Sequence, residues 1–147
     1  MINDSALMYT CSLIEYIGRE KKHSRGDVVK LLGVKNVTRI YKYADVLHCE
    51  PIARVADEYI NMANINSGAY DNVGKCKYEV PDYWDIGEVY ERLIEDVTPS
   101  EVQSDILETL FSVYDSWISE AISNYNTDFF YQPRDYIREC YLAGQVL

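Results

Sequence analysis

SRGDVVKLLGVKNVTRIYKYADVLH, residues 24–48, contains a helix start, a helix stop and a second amphipathic stretch in one short run. Ser24 is the residue type whose side-chain oxygen accepts the free N–H groups of a helix's first turn, and Asp27 falls near the positive end of the dipole. Gly33 supplies a stop, because glycine takes the backbone conformations that end helices at little cost. Val37, Ile40, Tyr41, Ala44 and Leu47 then resume helical spacing, so a third helix is predicted through them. Two helices joined by a tight turn have the outline of a helix-turn-helix, in which Lys35, Arg39 and Lys42, with Asn36 and Thr38, would face DNA. Against that reading stands a formal net charge of −10 over 147 residues.

The same period continues outward from this stretch. Leu7, Thr10, Cys11, Ile14 and Ile17 form one stripe and predict a helix over about 4–21. Pro51 suits a first helical turn, and Ile52, Val55, Ala56, Tyr59, Ile60 and Ala63 keep helical spacing after it. Residues 66–81, NSGAYDNVGKCKYEVP, break the pattern with two glycines and a closing proline, and predict a boundary with at most a short extended piece at CKYEV. Beyond it Ile86, Val89, Tyr90, Leu93, Ile94 and Val97 predict another helix. Thr98-Pro99-Ser100-Glu101 reads as a capping box opening one long central helix to about Tyr125. Phe129, Phe130 and Tyr131 follow, and Pro133 opens a last helix that Gly144 ends. The expected fold is therefore all-α, with six or seven helices. Residues 1–65 form an N-terminal four-helix unit, 66–82 a linker, and 83–147 a C-terminal unit around the long helix, packed on the first or standing apart from it.

Charge divides unevenly between these halves. Residues 1–78 hold eleven Lys/Arg against nine Asp/Glu, a net of +2, whereas residues 79–147 hold three Arg against fifteen acids, a net of −12. The acidic half would repel a phosphate backbone and attract a basic partner. With 48% apolar residues the composition is that of a folded chain, and fourteen tyrosines exceed what packing alone asks for. Tyrosine pairs a large ring with a polar tip, which suits interfaces. No run is long and apolar enough to span a bilayer, and MINDSALMYT lacks the basic start of a secretory signal, so a cytoplasmic address is expected.

Few residues invite chemistry. No phosphate loop, HExxH or GxSxG occurs. Cys11, Cys49, Cys76 and Cys140 lie far apart and read as reduced thiols rather than disulfide partners. His48 beside Cys49 and Glu50 raises a metal or thiolate-imidazole hypothesis, but sequence neighbours do not converge readily on one ion, and His48 reads as a structural cap for the helix end at Pro51. No catalytic residue, metal or cofactor is expected. For partner binding, Phe129, Phe130, Tyr131 and Tyr136 form an aromatic cluster rimmed by Asp128 and Asp135, and Glu88 and Glu95 share a helix face with Arg92 between them. Interfaces concentrate their energy in such aromatic anchors ringed by charge.

Residues 6–62 resemble a family of small bacterial helical domains called domain of unknown function 3791. The resemblance lies in Ile14-Glu15-Tyr16, in Ser24-x-x-x-Val28-x-x-Leu31 and in Tyr43-Ala44-Asp45-Val46-Leu47-His48, with Ala44 in place of the family's usual Tyr and Cys49 in place of its Thr. Such domains are often encoded beside predicted toxins, some of them similar to ADP-ribosyltransferases. The resemblance thus implies an accessory or antitoxin-like protein that acts by binding another protein, and no catalytic residues. A non-catalytic cytoplasmic protein-binding module is the favoured expectation, able to self-associate, and a helix-turn-helix regulator is the alternative.

Overall fold

The computed structural model describes residues 4–100 and 102–147. Its helices are α1 (Asp4–Lys21), α2 (Arg25–Lys42), α3 (Ala44–Leu47), α4 (Ile52–Ala63), α5 (Tyr83–Val97), α6 (Gln103–Tyr114), α7 (Trp117–Ser123) and α8 (Arg134–Ala143), with a 3-10 turn over Phe129–Tyr131. The described residues contain no strand, CKYEV included, so the chain is all-α.

The central helix is α1. From Ala6 to Gly18 only Met8 and Tyr16 are not buried, and α2, α3, α4 and α5 all pack on it. A helix covered this fully is apolar on most sides, and α1 has Leu7, Cys11, Leu13, Ile14 and Ile17 at zero exposure. Its buried Thr10 and Glu15 are hydrogen-bonded, whereas the Tyr9 hydroxyl and Ser12 Oγ find no partner among the described residues. The closest seam is with α5, where Gly87 lies against Ser12, Tyr9 lies 6.2 Å from Trp84 and Tyr16 meets Tyr83 edge-on at 5.2 Å. One hydrophobic cluster runs from Ala6 to Cys140, so the two units read from the sequence share a core.

Ser24 caps α2 as expected, its hydroxyl accepting from Asp27 N at 3.3 Å. Gly33 has φ 79° and ψ 164°, so α2 consists of two helical runs joined at one residue. The expected long helix over 98–125 is instead α6 and α7. Ser116 competes for the backbone: its hydroxyl donates to Val113 O at 2.7 Å and accepts from Ile118 N at 3.3 Å, ending one helix and starting the next. Thr98 closes α5 rather than opening α6, donating to Ile94 O at 2.5 Å, and Ser100 accepts from Val102 N in its place. Glu101, the third member of the expected capping box, lies outside the described residues.

The segment expected as a linker is laid along the bundle. Gly68 N and Tyr70 N donate to Lys21 O and Lys22 O at 2.8 and 2.9 Å. Asn72 Nδ2 donates to Ser123 O at 2.8 Å, and Lys77 N to Asn126 Oδ1 at 2.7 Å. Pro81, at its end, accepts from Arg19 Nη2 at 2.7 Å.

Candidate functional site

A buried charge cluster stands behind a groove lined by α5, Pro81 and Phe130. Glu15, on α1, is 1% exposed, and Arg25, in the first turn of α2, is fully buried. Arg25 Nε and Nη2 donate to the two carboxylate oxygens of Glu15 at 2.9 and 3.0 Å, and Arg19 Nε donates to Oε2 at 2.7 Å. The Tyr125 hydroxyl donates to the same oxygen in a short bond. The remaining Arg25 donors reach His23 O at 2.8 Å and Asn72 Oδ1 at 2.9 Å. A buried ion pair costs desolvation that only good geometry and further hydrogen bonds offset, and both are present. Gly18 makes the space: a Cβ there would come within 2.5 Å of Arg25 Cδ.

Two arms of this cluster reach outward. Arg19 holds the carbonyl of Pro81, and the Tyr125 ring packs edge-on against Phe130 at 5.9 Å. Pro81 and Phe130 both line a groove of about 580 Å³ that α5 also borders. Its floor is apolar, formed by Val80, Val89, Leu93 and Ile137. Tyr131 stands at its mouth, 84% exposed. Around the rim lie Glu79, Asp85 and Glu88 with Arg92, Gln132 and Arg134. Glu88 pairs with Arg92 at 3.2 Å, one helical turn on. Arg134 is held by both oxygens of Asp96, at 2.7 and 3.0 Å, which clamps α8 to α5. A preformed concave surface with an apolar floor and a charged rim is suited to receiving a side chain or short segment.

The structure brings together three of the residues expected to bind a partner, Glu88, Phe130 and Tyr131, and separates the others. Phe129 is core, 6% exposed and packed between Trp117 and Tyr136 at 6.3 and 6.5 Å, because a 3-10 turn points successive rings in different directions around its axis. Tyr136 borders a separate depression with Val146, its hydroxyl donating to the carbonyl of Leu147. Glu95 lies outside the groove, 4.0 Å from Arg134. Val80, Pro81, Glu79 and Asp85 enter the site unexpectedly, since they belong to the presumed linker and to the first turn of α5.

Phe129→Ala should therefore lower stability by about 3–5 kcal/mol, whereas Tyr131→Ala should stay within about 0.5 kcal/mol of the parent. Thermal denaturation of the two variants checks this, and equal losses would contradict the division between core and groove.

Elsewhere, Lys35, Arg39 and Lys42 are exposed on the second run of α2. Lys42 Nζ lies 5.5 Å from the Tyr43 ring, and Val34, Tyr43 and Val46 are exposed nearby in sequence. His48 is the C-cap residue of α3 through its backbone N–H, which donates to Ala44 O at 2.9 Å, and the start of α4 at Pro51 has no side-chain cap. All four cysteines are free thiols, and burial pushes the Cys11 thiol up to about 12. Among the described residues no three His, Cys, Asp or Glu side chains are grouped to hold a metal ion, and no helix is long and apolar enough to cross a membrane. Compared with protein-family models, with curated proteins and with solved structures, the chain matches none.

Proposed function

We propose that this chain is a non-catalytic, cytoplasmic protein-binding module whose docking site is the groove between α5, Pro81 and Phe130. The observation that carries the reading is the assembly of an apolar floor, a half-buried Phe130 and an 84% exposed Tyr131 in one depression. Exposed aromatic side chains beside an apolar pocket are costly to leave in water and are the usual anchors of protein interfaces. The buried cluster supports it further: Arg19 and Tyr125 fix two walls through contacts that need no partner, so little ordering cost remains for docking. Taken with the resemblance of residues 6–62, the role is that of an accessory or antitoxin-like protein acting on a toxin by occupying its surface. Co-purification of the chain with the products of its neighbouring genes tests this. The parent should retain one such product stably, and Tyr131→Ala with Val89→Asp should release it while both variants remain folded. Retention by both variants would refute the groove as the docking site.

A DNA-binding reading rests on the exposed cations of α2. Their neighbours favour protein instead, because Val34 and Val46 offer apolar surface that a phosphate backbone cannot use. Binding to duplex DNA is expected to be weak, to lack the steep salt dependence of multiple phosphate contacts, and to be unchanged by Arg39→Ala and Lys42→Ala. Fluorescence anisotropy across a salt series measures all three. A tight, salt-sensitive complex abolished by those substitutions would establish the regulator instead.

A further inference from the structure

We propose that the occupant of the groove is a basic segment, in which a lysine or arginine stands next to an aliphatic or aromatic side chain. This deepens the docking reading and rests on it. The rim charges that are already matched leave an acidic remainder. Arg134 is committed to Asp96 through two hydrogen bonds, and Arg92 to Glu88. Glu79 and Asp85 have no ion-pair partner among the described residues, and both are exposed at the groove's edge. What the rim offers a newcomer is therefore two free carboxylates and no free cation. Tyr131 adds the face of an exposed ring, and Tyr78, 70% exposed, precedes Glu79 directly. Carboxylates beside open aromatic faces favour a cation, by Coulomb attraction and by the ring quadrupole together. The floor of Val80, Val89, Leu93 and Ile137 has no polar group to offer and takes an apolar side chain. An acidic segment would meet two unmatched carboxylates and the −12 carried by residues 79–147.

The test is selection of random short peptides displayed on phage against the immobilised full-length chain. Recovered sequences should pair Lys or Arg with a neighbouring apolar residue. A synthetic peptide of that consensus should bind the parent, lose affinity as salt is added, and lose about ten-fold or more on the double substitution Glu79→Lys, Asp85→Lys. A repeat of the selection on that double variant should shift toward acidic sequences. Peptides that are acidic or uncharged, yet lose binding on Tyr131→Ala, would overturn the basic occupant and leave the docking groove intact. Recovery of no consensus, or of one indifferent to Tyr131→Ala and Val89→Asp, would overturn both. Neither acid belongs to the buried cluster, and circular dichroism of the double variant checks that it is folded.

Discussion

Glu15→Ala is expected to lower the melting temperature by about 10 °C or more, because it leaves the fully buried Arg25 guanidinium with no counter-charge. Breaking one side of a buried pair typically costs about 3–5 kcal/mol, most of it the penalty on the stranded partner. Here the loss spreads further, since Arg19 and Tyr125 also bond to Glu15 and since Arg25 ties in Asn72 of the 66–82 segment. The double variant Glu15→Ala, Arg25→Met should lose less than the sum of the single variants, which is the signature of a stranded charge. The pair also has a pH signature. Burial alone would raise the Glu15 carboxyl, but the Arg25 guanidinium outweighs it, with help from Arg19 and the Tyr125 hydroxyl, and holds it below the ordinary 4.5. A carboxyl depressed in the folded state adds stability above its unfolded value, and that stability disappears as the pH falls through the folded value. The parent should therefore weaken progressively below about pH 4.5, and Glu15→Gln should show a flatter acid limb. Chemical denaturation across pH 2–7, a range of about five units set by carboxyl titration, separates the two curves.

Gly87→Leu is expected to be as damaging, by a different route. A Cβ at Gly87 would overlap the Ser12 hydroxyl and come within 2.9 Å of Ser12 Cα and N. The obstacle is backbone, so no rotamer change removes it, and α5 must move away from α1. Forcing extra atoms into a packed seam costs about 1–3 kcal/mol where neighbours give way, and more where they cannot. Gly87→Ala should already fall at the upper end of that range, and Gly87→Leu should leave little folded protein. Ser12→Gly should restore only part of the loss, because Ser12 Cα and N remain in the way. Full rescue would mean that the helices are not seated as described.

The contrast between these two sites and the rest of the chain explains what the sequence made legible. α4 and α5 are amphipathic surface helices, so their buried and exposed faces alternate at helical period, and Val55, Tyr59, Ile86 and Leu93 were recognisable as core. The cap at Ser24 and the interruption at Gly33 are local backbone chemistry, which lies within a few residues of chain. α1 was recognised as a helix but not as the central one, because Ser12 and Glu15 look like a solvent face until their neighbours in space are known. Those neighbours include residues far along the chain: Tyr125 bonds to Glu15, and Gly87 packs against Ser12. The false continuity of α6 and α7 has a similar origin. Periodicity accommodates a serine, and only the two bonds made by Ser116 show that the backbone turns there. The candidate site was half visible. Phe130, Tyr131 and Glu88 are of interface type in any context, but whether Phe129 or Phe130 faces inward depends on the phase of a three-residue 3-10 turn, and Glu79, Val80 and Pro81 come from a segment with no periodic signal at all.

The central claim, that the groove over Pro81 and Phe130 receives a protein partner, is tested most directly by photo-crosslinking in the native host. A photoreactive phenylalanine placed at Tyr131 or Asp85 should give one discrete adduct with the same partner, and the Tyr131 adduct should disappear when Val89→Asp is added. The same probe at Val34, on the exposed face of α2, should give none of that species. An adduct formed from Val34 and absent from Tyr131 and Asp85 would contradict the account and move the functional surface to the cations of α2.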